Sequence, residues 1–438
     1  KCAGARSGGW RTSDSYIRVY LANMKVLYFH QHFSTPSGST GTRSYEMAQR
    51  LIARGHQVTM VCGSSKMANS GLSGEVINGA RRGIVDGINV IELYLPYSNY
   101  DSLLKRSWIF FKFALRSVGL ALRMDYNLLF ATTTPLTAGI PGIFASVIRR
   151  KLFVFEVRDL WPELPREMQV ITNPVVLFML EMLEWFSYHA ATACIGLSPG
   201  IVRGIVKRGI NEKKVAMIPN GCDLDLFDPQ LVEPVRPPGV SKNDFLAIFS
   251  GAHGLANGLE AVLNAAQVLK NRARDDIKLV FIGDGKLKPN LIQKATAMKL
   301  GNCLFLEPVS KHRLTTYLRG ADAGLMILAN VPAFYYGTSP NKFFDYIAIG
   351  LPVINNYPGW LAGIIEKYKC GLAVDPEKPE ALADALEMLA DDRRMAAIMG
   401  ANARRLAIEQ FSRMDLANQF VDYLEEVWRC SKEYSMWL

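Results

Sequence analysis

The strongest constraint on the fold is a repeated alternation of short apolar stretches with segments of helical periodicity. Stretches such as KVLYFHQ (25–31) and LFVFEVR (152–158) are almost continuously apolar, which is typical of strands buried inside a parallel sheet. Parallel neighbours need a long crossover connection, and a helix usually supplies it. The alternation therefore predicts an α/β protein whose parallel sheets are covered by helices.

The predicted strands form two series, separated by the Pro-rich polar segment DPQLVEPVRPPGVSKND (228–244). A chain of 438 residues is too long for one ordinary domain. We therefore expect two doubly wound domains, residues 24–220 and 221–410, with ligands at the carboxyl ends of their strands. Residues 411–438 are expected to form an amphipathic helix outside this rhythm, and the polar residues 1–23 are interpreted as a disordered extension.

The net charge indicates which binding partners to expect, and the cysteines indicate the compartment. The formal net charge of +10 lies mainly in the N-terminal half, which suits an anionic substrate or an anionic membrane surface. No basic run with interleaved aromatic residues forms a nucleic-acid-binding module, so nucleic acid is not an expected partner. The seven scattered cysteines indicate free thiols in a reducing compartment. No apolar stretch is long enough to predict a transmembrane helix.

Small residues follow several predicted strands at the point where a helix or turn begins. They are Gly38, Ser39 and Gly41 in the first domain, and Gly251, Gly254 and Gly283 in the second, where His253 lies in the same loop and is also a candidate for substrate binding. Small side chains let an anion approach the free N–H groups of a helix N-terminus. A plain turn with capping explains each stretch equally well alone, but several along one crevice favour phosphate binding.

The segment FEVRDLWPELP (155–165) is the densest polar cluster of the first half. It places Arg158 and Asp159 at the carboxyl end of a strand, where ligands bind in such sheets. The alternative is a surface ion pair followed by a helix cap.

Two further polar pairs receive structural interpretations. His30 and His32 share a strand face without a carboxylate or cysteine cluster nearby, so packing is favoured over metal binding. Asp223 and Asp225 follow an Asn-Gly turn and are interpreted as part of it rather than as a cation site. The sequence therefore predicts no metal.

The stretch YYGTSPNKFFDYIAIGLPVI (335–354) predicts a helix with an unusual beginning. Ser339 as the cap and Pro340 in the first turn explain why a helix starts there. Lys342, however, is a cation in the first turn, where the helix dipole disfavours it. An anionic ligand at this N-terminus would remove that conflict.

The segment LLKRSWIFFKFALRSVGLALR (103–123) predicts a basic amphipathic helix that contains no acid. Its cations and aromatic residues, represented by Trp108, Phe111 and Lys112, favour binding to a membrane surface. The alternative is a helix that covers the sheet while its cations extend into solvent.

Five of these motifs together resemble the family 4 retaining glycosyltransferases. They are PSGSTGTRSYEMAQRLIARGHQVTMVCG, VFEVRDLWPE, VAMIPNGCD, FIGDG and SPNKFFDYIAIGLPVI. The bacterial branch that builds O-antigen and capsule repeats, including the N-acetyl-fucosamine transferases, is the most similar. The resemblance implies the GT-B fold: two Rossmann-like domains that face a cleft, with residues 411–438 crossing back to the first domain. It also implies no cofactor and no catalytic metal.

The resemblance assigns roles and shows two departures. It implies that Arg158 and Asp159 contact sugar or acceptor, that Asp345 accepts hydrogen bonds from the ribose, and that Val309 lies where the base binds. Ser339 and Asn341 belong to the SPNK run that is typical of this branch. The first acid of the family's usual pair falls at Gly337, and GAHGLANGLE (251–260) lacks the usual arginine and lysine, which makes Lys342 the main cationic candidate.

The implied activity is the transfer of a sugar, N-acetylated in the most similar branch, from a UDP-sugar to a lipid-linked saccharide acceptor. We expect a peripheral protein at the cytoplasmic face of an anionic membrane. Two alternatives remain: a nucleotide-sugar 2-epimerase of the same fold, and a non-catalytic membrane-associated subunit, which the missing acid at Gly337 suggests.

Overall fold

The computed structural model describes residues 23–38, 40–65, 68–98 and 100–436, and these form two sheets. The eight-stranded first sheet has the order β3-β4-β2-β1-β5-β6-β7-β8. Its strands are β1 (Lys25–Phe29), β2 (Gln57–Ser65), β3 (Ala80–Val85), β4 (Ile88–Tyr97), β5 (Leu128–Thr132), β6 (Leu152–Val157), β7 (Ala193–Gly196) and β8 (Val215–Met217). All neighbours are parallel except β3 and β4, which pair antiparallel.

The six-stranded second sheet is parallel throughout, in the order β11-β10-β9-β12-β13-β14. Its strands are β9 (Phe245–Ser250), β10 (Ile277–Ile282), β11 (Cys303–Leu306), β12 (Ala323–Met326), β13 (Val353–Asn355) and β14 (Gly371–Ala373). In both sheets, strand order reverses beside the first strand of the domain, β1 or β9. Ligands bind at this position in doubly wound sheets.

Helices cover both faces of each sheet. The helices before the interdomain segment are α1 (Arg43–Ala53), α2 (Leu103–Arg123), α3 (Ile140–Arg149), α4 (Glu163–Glu167), α5 (Pro174–Ala190) and α6 (Pro199–Lys207). The later helices are α7 (Glu260–Asn271), α8 (Lys288–Ala297), α9 (Lys311–Arg319), α10 (Pro332–Tyr336), α11 (Asn341–Ile349), α12 (Trp360–Tyr368), α13 (Pro379–Asp391), α14 (Arg393–Gln410) and α15 (Arg413–Met436).

The final helix, α15, packs against the first sheet rather than the second. Its residues Leu416, Phe420 and Leu424 share an apolar cluster with Val26 and Phe130 of the first sheet. The rings of Phe130 and Phe420 meet edge to face with their centroids 5.0 Å apart. The chain therefore returns to the first domain at its C-terminal end.

Two local predictions differ from the structure. The edge strand β3 was not predicted, because ARRGIV carries two arginines and a glycine and buries only its first residue well. The helix predicted from residue 411 begins at Arg413 and extends to Met436. The extension predicted for residues 1–23 lies outside the described residues except for Asn23. None of the described helices has the length and apolar content needed to cross a membrane.

Candidate active site

Contacts between the domains bring the carboxyl ends of the two sheets together. A Cβ atom added at Gly41, after β1, would lie 2.7 Å from the side-chain nitrogen Nδ2 of Asn341, the first residue of α11. Ser198 donates a hydrogen bond to the Tyr336 carbonyl at 2.9 Å. Tyr100, after β4, donates to the Asp284 carboxylate after β10 at 2.5 Å. The strand-end loops of both domains therefore border one interdomain cleft.

The loops after β9 and β10 lie so close together that only glycine fits between them. A Cβ atom at Gly283 would lie 2.0 Å from the Gly251 carbonyl oxygen, and Gly251 and Gly283 have φ angles of +148° and +145°. At Gly254 an added Cβ would meet no atom within 4 Å. These strand ends therefore expose backbone without side chains, as an approaching phosphate requires.

Lys342, in the first turn of α11, extends to the exposed backbone of the loops after β9 and β10. Its ammonium donates to the Asn257 side-chain oxygen at 2.5 Å and lies 4.1 Å from the centre of the Phe249 ring. Its nitrogen is 3.5 Å from the position of a Cβ at Gly251. Among the described residues it forms no ion pair, and burial lowers the pKa of Lys342 to about 7. The site therefore holds a cation that no carboxylate neutralises.

Asp345 lies one turn further along α11. It is buried, and its Oδ2 accepts a hydrogen bond from the Lys311 ammonium at 2.5 Å. Its other oxygen has no hydrogen-bond partner among the described residues. Val309 is partly buried and lies two residues before Lys311. The carboxylate predicted to bind ribose thus has one buried oxygen that could accept further hydrogen bonds if a ligand reached it.

One prediction at this end of the cleft needs correction. Ser339 does not cap α11, because Pro340 occupies the N-cap position and makes no side-chain cap. Instead, the Ser339 hydroxyl accepts from the Asn220 backbone N–H at 3.0 Å, at the junction between the domains. His253 is fully buried beside the rings of Phe249, Phe281 and Phe305, neither of its ring nitrogens has a hydrogen-bond partner among the described residues, and its contact with the substrate stays a prediction. Burial lowers the pKa of His253 to about 4.

On the first-domain side, Arg158 and Asp159 follow β6 without pairing to each other. Nη1 of Arg158 lies 3.2 Å from Nε2 of His30. The Asp159 carboxylate accepts a hydrogen bond from the Thr134 hydroxyl at 3.2 Å. Burial raises the pKa of Asp159 and lowers that of His30. The predicted alternative of an Arg158–Asp159 surface pair is therefore not formed. Gly38 packs on Ser34, and Ser39 lies outside the described residues.

The buried ion pair between Arg43 and Glu156 was not predicted from the sequence. Arg43, the first residue of α1, contacts the Glu156 carboxylate at 2.8 Å, and the two side chains are 3% and 0% exposed. Arg43 also donates to the carbonyl oxygens of Ile218 and Pro219. Burial opposes ionisation of Glu156, but Arg43, Arg158 and the Thr132 hydroxyl together outweigh it, and the pKa of Glu156 is lowered. Both residues lie in motifs quoted from the sequence, but nothing in a motif indicated that they pair.

Helix α2, predicted to bind a membrane surface or to cover the sheet, has one face buried on the sheet and another exposed to solvent. Ile109 and Phe113 are buried against the sheet. Trp108 and Phe111 are 55% and 50% exposed and stack on each other, and Lys112 lies over Trp108 at 5.2 Å. Thus α2 covers the sheet and also presents an aromatic and cationic surface to solvent.

No group of three or more His, Cys, Asp or Glu side chains in the described ranges is placed to hold a metal ion. Asp223 accepts a hydrogen bond from the Leu226 backbone N–H, as expected for a turn residue.

Comparison with known proteins places both domains in one enzyme class. Residues 38–221 match the family model "Glycosyl transferase 4-like domain", and residues 235–406 match "Glycosyl transferases group 1". A D-inositol 3-phosphate glycosyltransferase of Paenarthrobacter aurescens is 28% identical over 202 residues, which is 44% of this chain and 47% of that protein. The match to this relative thus spans about half of its length.

Solved structures share the whole architecture. Sucrose-phosphate synthase of Thermosynechococcus elongatus superposes with a TM-score of 0.71 at 17% identity, covering 93% of this chain and all of that one. HepE of Anabaena in complex with UDP-glucose gives a TM-score of 0.65 at 16% identity, covering 92% of this chain and 100% of that chain. The predicted GT-B fold is confirmed.

Proposed function

We propose that this chain, whose two domains belong to the glycosyltransferases of GT-B fold, transfers a sugar from a UDP-sugar to a lipid-linked saccharide acceptor with retention of anomeric configuration. The proposal includes an N-acetylated sugar and a role in building O-antigen or capsule repeats. The observation that carries it is Lys342, an unneutralised cation beside the bare backbone of the loops after β9 and β10.

The leaving group of a UDP-sugar is a diphosphate, and its developing charge must be stabilised in the transition state. Lys342 and the exposed backbone of Gly251 and Gly254 supply positive charge and N–H dipoles at that point. An arriving diphosphate also raises the pKa of Lys342, because opposite charge favours the protonated form. The cation is therefore most fully charged when donor is bound.

The remaining predicted residues fit around this donor. The free oxygen of Asp345 accepts from a ribose hydroxyl, and Val309 lies near the base. Arg158 and Asp159, on the opposite wall, contact the transferred sugar or the acceptor. The acceptor hydroxyl gives its proton to the departing phosphate, so no strong side-chain base is needed. Gly41 lies so close to Asn341 that a side chain there would not fit, and further closure of the cleft on the donor would exclude water.

The membrane part of the proposal is supported by the exposed aromatic and cationic surface of α2. Replacing Trp108, Phe111 and Lys112 together by Ser should release the protein from vesicles of equimolar phosphatidylcholine and phosphatidylglycerol in a sedimentation assay. Unchanged co-sedimentation would show that α2 serves only to cover the sheet.

The donor is identified by a thermal-shift screen against UDP- and GDP-sugars, because a ligand that binds only the native state raises its stability. We expect a UDP-sugar to give the largest shift, and the Lys342→Ala variant to lose most of it. Incubation with UDP-N-acetylglucosamine alone provides the decisive contrast: an epimer formed without acceptor would replace the transferase proposal with the epimerase. The absence of any shift would favour a non-catalytic subunit.

A further inference from the structure

Helix α5 buries little of its apolar surface for a helix on a sheet. Its buried residues are Glu184, Ser187 and Tyr188, and Leu180 and Leu183 are partly buried against the core. Most of its large apolar side chains are exposed: Val175 (65%), Val176 (41%), Phe178 (61%), Met179 (64%), Met182 (38%), Trp185 (43%) and Phe186 (47%). Hydrophobic side chains normally provide the stability of such a helix by leaving water. An arrangement that leaves them in water marks a surface that something else covers.

The exposed apolar surface continues across two neighbouring helices. Helix α3 packs between α2 and α5. It exposes Phe144, Val147 and Ile148, and α2 exposes Leu104, Trp108, Phe111 and Leu115. We call these residues, with those of α5, the three-helix face. Its exposed apolar side chains lie on three helices that pack side by side, which exceeds the scattered exposure normal for a protein surface.

The charges around the three-helix face are mostly positive, although Asp101 pairs with Lys105 at the start of α2 and Asp125 pairs with Lys25 after its end. Helix α2 carries Lys105, Arg106, Lys112, Arg116 and Arg123 and no acid, and α3 is followed by Arg150 and Lys151. The two acids of α5, Glu181 and Glu184, are paired with Arg166 and Arg208. A second copy of the chain would bring these cations against their equivalents. An anionic lipid surface instead complements both the apolar centre and the positive border.

The three-helix face adjoins the mouth of the cleft. In both domains the helices run back from the carboxyl ends of the strands, so α2 begins near the end of β4 and α5 near the end of β6. Arg158 and Asp159 lie at that same end of β6. Between them and α5, Glu167 of α4 accepts a hydrogen bond from the Ala333 backbone of the second domain at 2.7 Å. The most exposed part of α5 therefore starts close to the acceptor side.

We propose that the three-helix face inserts into the surface of an anionic bilayer, with α5 as its main apolar element. A lipid-linked acceptor then keeps its hydrocarbon chain in the bilayer while its saccharide enters the cleft beside Arg158. This inference rests on the proposed function for the identity of the acceptor, but the insertion of α5 is a separate physical claim. The apolar side chains of α5 insert into the bilayer, and the cations of α2 provide most of the attraction to its anionic surface.

The test compares two double variants of matched exposure. Phe178→Ser with Met179→Ser removes apolar area from α5, and Met388→Ser with Ile398→Ser removes it from the second domain, where these side chains are 50% and 55% exposed. Binding to vesicles of equimolar phosphatidylcholine and phosphatidylglycerol is measured by co-sedimentation. We expect the α5 variant to bind about tenfold more weakly, and the second-domain variant to bind like wild type.

Three readouts keep this inference separate from the proposed function. Circular dichroism checks that both variants stay folded. If the α5 variant keeps wild-type vesicle binding, the inference is wrong, whatever the α2 variant and the donor screen show. If the α5 variant changes a dimer into a monomer in sedimentation equilibrium, a second copy covers the face and the bilayer is excluded. Loss of vesicle binding without any nucleotide-sugar shift would support the inference and contradict the proposed function.

Discussion

Arg43 and Lys342 are both cations at the start of a helix, one in each domain, but their surroundings differ. Each lies in the first turn of a helix bordering the cleft, where the helix dipole disfavours a cation. Arg43 is fully neutralised by Glu156 and two carbonyl oxygens. Among the described residues, Lys342 contacts only an amide oxygen and an aromatic ring in this way. The first cation is paired within the fold, whereas we propose that a bound diphosphate pairs with the second.

Arg43→Ala should give the largest effect, on stability. Removing one member of a buried ion pair leaves the other charge uncompensated, and the expected cost is about 3–5 kcal/mol of unfolding free energy. The pKa of Glu156 should rise, because Arg43 is the largest of the groups that lower it against the effect of burial. Urea unfolding measures the loss.

The surface pair Lys294–Glu260 provides the control for this variant. Its side chains are 39% and 66% exposed, so Lys294→Ala should change stability by less than about 1 kcal/mol. A similarly small change in the unfolding free energy of Arg43→Ala would show that the buried pair does not stabilise the fold. Arg43 would then no longer differ from Lys342 in that respect.

Lys342→Ala should affect catalysis rather than folding. The loss of one charge-stabilising donor is expected to lower turnover by about a hundredfold or more, measured with the donor found in the thermal-shift screen. Unfolding of the ligand-free variant should show no comparable loss, because the buried ammonium has no ion pair to break. Activity like that of wild type would remove Lys342 from the site.

The contrast also separates what sequence reasoning could predict from what it could not. Parallel strands and helices follow from local periodicity, and Lys342 was identified because a single first turn contains the conflict with the dipole. The partners of these cations come from distant segments. Glu156 is 113 residues from Arg43, and Asn257 is 85 residues from Lys342. Such pairings depend on which strands become neighbours, which a local pattern does not specify.

The second domain illustrates this limit. The loop after β9 lacks the arginine and lysine expected by resemblance. In the folded chain Lys342 reaches that same loop from α11 and bonds to Asn257 within it. The exposed apolar face of α5 was not predicted for a related reason, because only packing shows which of its sides faces the sheet.

The pH dependence tests the unpaired state of Lys342 directly. Burial lowers the pKa of Lys342 to about 7, so the charged form is lost from the free protein as pH rises through that value. The specificity constant kcat/KM for the donor, which reports the free enzyme, should fall above about pH 7. In Lys342→Ala this descending limb should disappear. A pH profile identical in the variant would assign the titration to another group.

The same pKa predicts the opposite trend for stability. The unfolded chain binds a proton on Lys342 up to its ordinary pKa, whereas the folded chain releases it near 7. Between these values the unfolded state holds more protons, so the contribution of Lys342 to the unfolding free energy rises with pH. Lys342→Met should therefore stabilise the ligand-free protein more at about pH 6 than at about pH 9. An equal effect at both values would mean that Lys342 is not desolvated.

The smallest effect is expected at Tyr100, which links the first domain to a loop after β10 beside the site. Its hydroxyl donates to Asp284, and this bond raises the pKa of Tyr100. Because Tyr100 is 55% exposed, water replaces the lost bond in Tyr100→Phe, and the cost is about 0.5–1.5 kcal/mol. Donor KM should rise by less than about tenfold while kcat changes little, since the bond aids closure and touches no reacting atom. A fall in kcat as large as that of Lys342→Ala would mean that closure, and not the unpaired cation, limits the reaction.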